Sequence, residues 1–115
     1  MKIVNKSNTE LEPAHGGFRG RKLFVAEDEL KNIQGITQGY LPAQATSGWH
    51  KHDDCNEFMF VIKGKGFMKD EEGEYSFKTG DFFVFPKGVF HEQINRSTEE
   101  IEFVFVRIKE WVLGS

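Results

Sequence analysis

Two histidines one residue apart, His50 and His52, precede Glu57 in the stretch GWHKHDDCNE (48–57), in a chain with only four histidines. In an extended strand, residues i and i+2 point to the same side. His50 and His52 would therefore aim two imidazoles at one point, each able to approach a metal to about 2.0–2.1 Å. Glu57 lies far enough along for the chain to turn and return a carboxylate to the same place, and the intervening Asp-Asp-Cys-Asn is turn chemistry. A third imidazole is available from His91, which follows FPKGVFH (85–91), where Pro86 and Gly88 set a turn. Three imidazoles and one carboxylate suit a divalent transition metal: Fe, Mn, Ni, Co, Cu or Zn. They do not suit a thiolate site or an all-oxygen calcium cage. His15, in the glycine-rich PAHGGFRG (13–20), reads as an ordinary surface residue, and Cys55 as a small turn residue.

The elements that must position these residues read as short β-strands punctuated by Gly and Pro. RKLFVA (21–26), IQGITQGYL (33–41), EFMFVIKG (57–64), DFFVFP (81–86) and IEFVFVRI (101–108) carry strand-type composition. GFMKD (66–70) and EYSFK (74–78) flank an acidic turn and suggest a hairpin. AEDELKN (26–32) offers at most a helical turn. Many short strands with almost no helix predict an all-β sandwich or barrel. If Glu57 points inward, so do Met59 and Val61, and Phe58, Phe60 and Ile62 face out. The runs FFVF and FVFV are apolar at consecutive positions, so both of their faces should be covered.

Taken together, these residues resemble the cupin family. Its first motif matches His50, His52, Glu57 and Gly64 within 48–64, and its second matches Gly80, Pro86, Gly88, His91 and Asn95 within 80–95, at the expected spacings. One position departs: Gln44 stands where a turn glycine is expected, with Gly48 closer in. The resemblance implies a jelly-roll barrel (a double-stranded β-helix) across a single domain, 1–115. It implies a metal inside, held by His50, His52, Glu57 and His91, with open coordination positions for water or substrate. It also makes Asn95 a structural residue, and it implies a homodimer, which would cover the outward Phe58, Phe60 and Ile62.

Composition narrows the function. The 115 residues include 12 Phe and carry a net charge of −3 with no basic block, so one aromatic core is expected and nucleic-acid binding is not. No apolar run reaches the roughly 20 residues that span a bilayer, so no membrane association is expected. One cysteine excludes an internal disulfide, which favours a cytoplasmic setting. The expectation is a metal-dependent enzyme acting on a small organic molecule, of dioxygenase or isomerase/lyase type. The alternative is a non-catalytic protein that binds or senses a sugar or organic acid. Outside the ligand set Tyr40 is the only candidate catalytic group. Trp49 could line a pocket or the core.

Overall fold

The structure is a computed structural model that describes residues 2–25 and 30–109. A 3₁₀ turn at Lys6–Asn8 is followed, among the described residues, by nine strands: β1 (Glu12–Pro13), β2 (Arg19–Val25), β3 (Ile33–Leu41), β4 (Cys55–Lys63), β5 (Lys65–Lys69), β6 (Glu74–Lys78), β7 (Phe82–Phe85), β8 (Glu92–Ile94) and β9 (Ile101–Lys109). They form a six-stranded sheet in the order β1-β2-β3-β9-β4-β7 and a three-stranded sheet in the order β6-β5-β8. Every pairing is antiparallel. The expected all-β architecture is present. The first positions of the turn expected over 26–32 lie outside the described residues. The short strands β1 and β8 had no strand signal of their own. They exist because β2 and β5 offer them partners.

Period-2 alternation decides which side chains fill the space between the sheets. Cys55, Glu57, Met59 and Val61 of β4 are buried, whereas Phe60 and Ile62 are exposed and Phe58 is half-buried. Ile101, Phe103 and Phe105 of β9 point inward beside them, with Leu41 from β3, Phe85 from β7, and Met68 and Phe77 from the small sheet. Phe18 closes one end, edge-on to both Phe103 and Phe105 at 5.6 and 5.3 Å between centroids. Edge-to-face contacts let these large rings interlock without voids.

The outer face of the large sheet departs from the expectation that FFVF would be covered on both sides. Phe82 is 56% exposed, Val84 55% and Phe60 42%. Register makes this one patch, since Phe58 lies opposite Val84 and Val106, and Phe60 opposite Phe82 and Val104. The consecutive apolar residues therefore mark a strand with two apolar faces, of which only the inner one is buried by the described residues of this chain.

One buried side chain ties the connections together. Asn95 Nδ2 donates to the carbonyls of Leu41, Pro42 and Glu99, and its Oδ1 accepts from the Ser97 amide and hydroxyl. Gln44 adds to this knot, donating to the carbonyls of Arg96 and Ser97. It is the one described non-glycine residue with positive φ (64°), so the backbone there keeps the left-handed conformation a glycine would favour, and side-chain hydrogen bonds help hold it. Removing the Asn95 amide leaves several buried carbonyls without a donor. Asn95→Ala should cost about 2–3 kcal/mol, and Asn95→Asp, which keeps the acceptor but loses the donors, should cost nearly as much. Urea denaturation of the two variants measures both.

Candidate metal centre

The backbone brings the two histidine segments together before any side chain acts. His50 and His91 form an isolated antiparallel bridge, with N–H···O bonds of 3.0 and 2.8 Å in the two directions. Directly opposed residues project to the same side of a ladder, and the two ring centroids lie 4.4 Å apart. His52 is held through its carbonyl, which accepts from the Gly88 amide at 2.7 Å. Gly88 sits at φ +83°, and the Val89 amide closes the turn onto the Pro86 carbonyl. That positive φ at the third turn position is what a type II turn requires, and only glycine adopts it without strain. Glu57 reaches the same spot from β4, where it pairs with Phe85 of β7 and Arg107 of β9. Cys55 and Asn56 belong to β4 and not to the preceding turn.

His50, His52 and His91 each present a ring nitrogen within 4.8 Å of the others. Glu57 Oε1 lies 3.4 Å from His52 Nε2 and 3.9 Å from His91 Nε2. His50 Nδ1 lies 2.8 Å from the Gly48 carbonyl and His91 Nδ1 3.0 Å from that of Val89. A carbonyl only accepts, so in both rings the proton is on Nδ1 and the lone pair is on Nε2, facing the cluster. His91 is 1% exposed and stacks on Phe85 at 3.9 Å, and its Nε2 has no hydrogen-bond partner. A buried, unpartnered nitrogen lone pair beside two more imidazoles and a carboxylate is the donor set a divalent transition metal takes.

The surroundings set the charge states. Burial is the largest influence on His91 and holds its pKa down at about 4, and burial likewise lowers His50. His52 goes the other way, raised above its usual 6.5 chiefly by its hydrogen bond to Glu57. Cys55 is buried, and its thiol is pushed up to about 11, mainly by desolvation, so it carries no thiolate at neutral pH.

The cluster opens into a cavity of about 290 Å³. Its walls bring in residues that spacing did not single out. His15 stands with its ring 4.3 Å from that of His50. It is carried there by a loop packed so closely on Ser47 that a Cβ on Gly16 would lie 1.9 Å from the Ser47 carbonyl oxygen. His15 is exposed, as expected of a surface residue, yet it forms part of the site's rim. Gln93 is buried, and its Oε1 has no partner. Arg107 donates to Thr37 Oγ1 and lies 3.9 Å from Glu57 Oε2. A period-2 reading of β9 and β8 could have flagged Arg107 and Gln93, because each shares a face with a core or ligand residue. Tyr40 lies elsewhere, on the face of β3 opposite the cavity-lining Thr37 and Gly39, with Oη accepting from Gln38. Trp49 stacks on Phe90 outside the cavity.

In the metal-free protein the three histidines should titrate separately by NMR: His91 near pH 4, His50 below 6.5 and His52 above it. Unfolded His91 takes up its proton near pH 6.5, whereas folded His91 resists until about 4. Its contribution to stability is therefore complete above 6.5 and is lost as pH falls from 6.5 to about 4. The His52 contribution has the opposite sign, complete below 6.5 and fading as pH rises through its higher folded value. Urea midpoints across this range, with His91→Gln flattening the acid limb, check the assignment.

Residues 37–107 match the cupin domain family. Among curated proteins, a putative germin-like protein 9-2 of Oryza sativa subsp. japonica is 30% identical over 99 residues, covering 80% of this chain and 46% of the relative. An oxalate-binding protein of Thermotoga maritima is 29% identical over 68 residues, covering 59% and 56%. This chain thus spans about half the length of these curated relatives. Among solved structures, a predicted oxalate decarboxylase of Thermotoga maritima superposes with a TM-score of 0.86 at 23% identity, covering 95% of this chain and all of the other. A sugar phosphate isomerase of Silicibacter pomeroyi gives 0.77 at 19% identity, covering 95% and 76%. At these identities the superpositions speak to the fold, which is shared. With its two antiparallel sheets and its three-histidine, one-glutamate cluster, the chain belongs to the cupin domain family.

Proposed function

We propose that this protein is a metal-dependent enzyme acting on a small anionic organic molecule, with His50, His52, Glu57 and His91 as the metal ligands. The observation that carries this reading is the buried Nε2 of His91, without a hydrogen-bond partner, clustered with His50, His52 and Glu57, which line the open cavity. A bound divalent metal would supply Lewis acidity toward a substrate oxygen, or a centre for O₂ chemistry, which keeps isomerase/lyase and dioxygenase classes both in scope. The chain's own residues supply the rest. The Arg107 guanidinium is a bidentate donor suited to a carboxylate. Gln93 Oε1 is an acceptor for a substrate hydroxyl. Phe18 and Phe105 form apolar walls that shed water from the reacting end. His15, at the rim, is placed to take or give a proton. A cavity of about 290 Å³ sits at the small end of the range for small-molecule sites, roughly 300–1,000 Å³.

Binding without turnover is the second reading, favoured by the likeness to a protein named for binding oxalate. Metal analysis followed by oxygen uptake and product detection with diols, thiols, keto acids and dicarboxylates separates the two. Product formation establishes the enzyme, whereas a raised melting temperature with no product establishes the binder. His50→Ala with His91→Ala should lose stoichiometric metal from a folded barrel, and full metal occupancy would defeat the ligand assignment. Arg107→Gln should keep its metal and weaken productive binding about tenfold or more, the loss of a charge-assisted pair.

The same reading includes a homodimer. The contiguous outer patch of Phe58, Phe60, Phe82 and Val84 continues to the edge strand β7. A second copy placed on it by a twofold axis would bury like against like. Light scattering should give twice the chain mass, and Phe60→Lys with Phe82→Lys should give a monomer with unchanged metal content. A monomeric parent would end this part of the proposal.

A further inference from the structure

A second concave surface shares no residue with the metal cavity. It is a groove of about 710 Å³ between the outer face of the β5–β6 hairpin and the loop after β8. Lys65 and Lys78 stand directly opposite each other across this hairpin, both exposed, and among the described residues neither is in an ion pair. Like charges directly opposed in a sheet destabilise it. A lysine on the edge strand β6 blunts unwanted strand pairing, but that accounts for Lys78 and not for Lys65 on the central strand β5. The nearby carboxylates are already engaged: Asp81 Oδ2 accepts the Lys78 amide at 2.8 Å, and Glu74 pairs with Arg96 Nη1. The Arg96 guanidinium carbon lies over the Phe67 ring, 4.5 Å from its centroid. Its backbone is held in place by the Asn95 and Gln44 hydrogen bonds that lock this loop. In a chain of net charge −3, this groove thus gathers two lysines outside any ion pair among the described residues, and the Glu74-paired Arg96, against one lining carboxylate, Asp81, beside a half-buried aromatic ring.

We propose that this groove is a second binding site, for a small organic dianion such as a phosphomonoester or dicarboxylate with a flat apolar body. The anionic head would sit between Lys65 and Lys78, relieving their repulsion, and the body would lie along Phe67 and Arg96. A charged head held by two ammonium groups gives affinity that falls with salt, and the apolar body adds contact that an inorganic ion cannot make.

The test is a ¹H–¹⁵N NMR titration of the intact protein with phenyl phosphate at low salt and neutral pH. Saturable shifts are expected at the amides of Lys65, Lys78, Ser97 and Thr98, with Thr37 and Gly39 of the metal cavity unmoved. Phenyl succinate should act similarly if the site reads dianionic charge, and inorganic phosphate should bind more weakly. Lys65→Gln with Lys78→Gln should reduce affinity about tenfold or more, the loss of two charge-assisted contacts, while its melting temperature without probe is no lower than that of the parent. Shifts that never saturate, that appear only at the metal cavity, or that survive undiminished in the folded double variant would overturn the proposal.

Discussion

The site depends on one backbone contact, the two-way hydrogen-bonded bridge between His50 and His91. Four donors from three stretches of chain must converge to within a few ångströms, and long side chains cannot be relied on to find one another at tolerable entropic cost. Here the main chain does the converging. The bridge sets two imidazoles on the same side of the ladder, tilted to one another with centroids 4.4 Å apart, and the Gly88 amide pins the His52 carbonyl to the turn that delivers His91. Each Nδ1–H is then spent on a carbonyl two residues away, so the rings can rotate little and their lone pairs face one centre. Phe85 stacks flat on His91 and completes its confinement.

Burial gives the site its chemistry as well as its shape. The burial that keeps His91 neutral also leaves its Nε2 without a hydrogen-bond partner, a cost that a bound metal would offset. The opposite shift at His52 comes from a carboxylate at 3.4 Å, which shows how closely Glu57 is already associated with the imidazoles before any cation is considered. Arg107, 3.9 Å from the other Glu57 oxygen, balances that buried charge and meets the cavity at the same time.

The strands were legible where composition and alternation agree. β3, β6 and β4 fall within a residue or two of their expected bounds, because each combines branched or aromatic residues with a polar alternate. β8, of three residues, carries no such signal and exists only because β5 accepts it. The run FFVF is apolar on both faces, and periodicity cannot distinguish a face covered within one chain from one covered by another molecule. Gln44 shows the converse. It stands where the motif has a turn glycine, yet the backbone keeps φ 64°, assisted by two hydrogen bonds to residues some fifty positions away that no local reading contains.

Local sequence was enough to pick out the four clustered side chains, His50, His52, Glu57 and His91, and to suggest how they converge. The one-residue gap between His50 and His52, the inward register of Glu57 with Met59 and Val61, and the Pro86–Gly88 turn before His91 are local facts, governed by strand parity and turn geometry. The neighbours of that cluster were set by long-range packing. His15 reaches His50 because a glycine allows its loop to touch Ser47. Arg107 and Gln93 face the cavity because of how β9 and β8 sit in their sheets, and Tyr40 is turned away by the same parity on β3. These are contacts between segments far apart in the chain, set by which strands pair and which faces pack, and spacing along the chain carries no record of them.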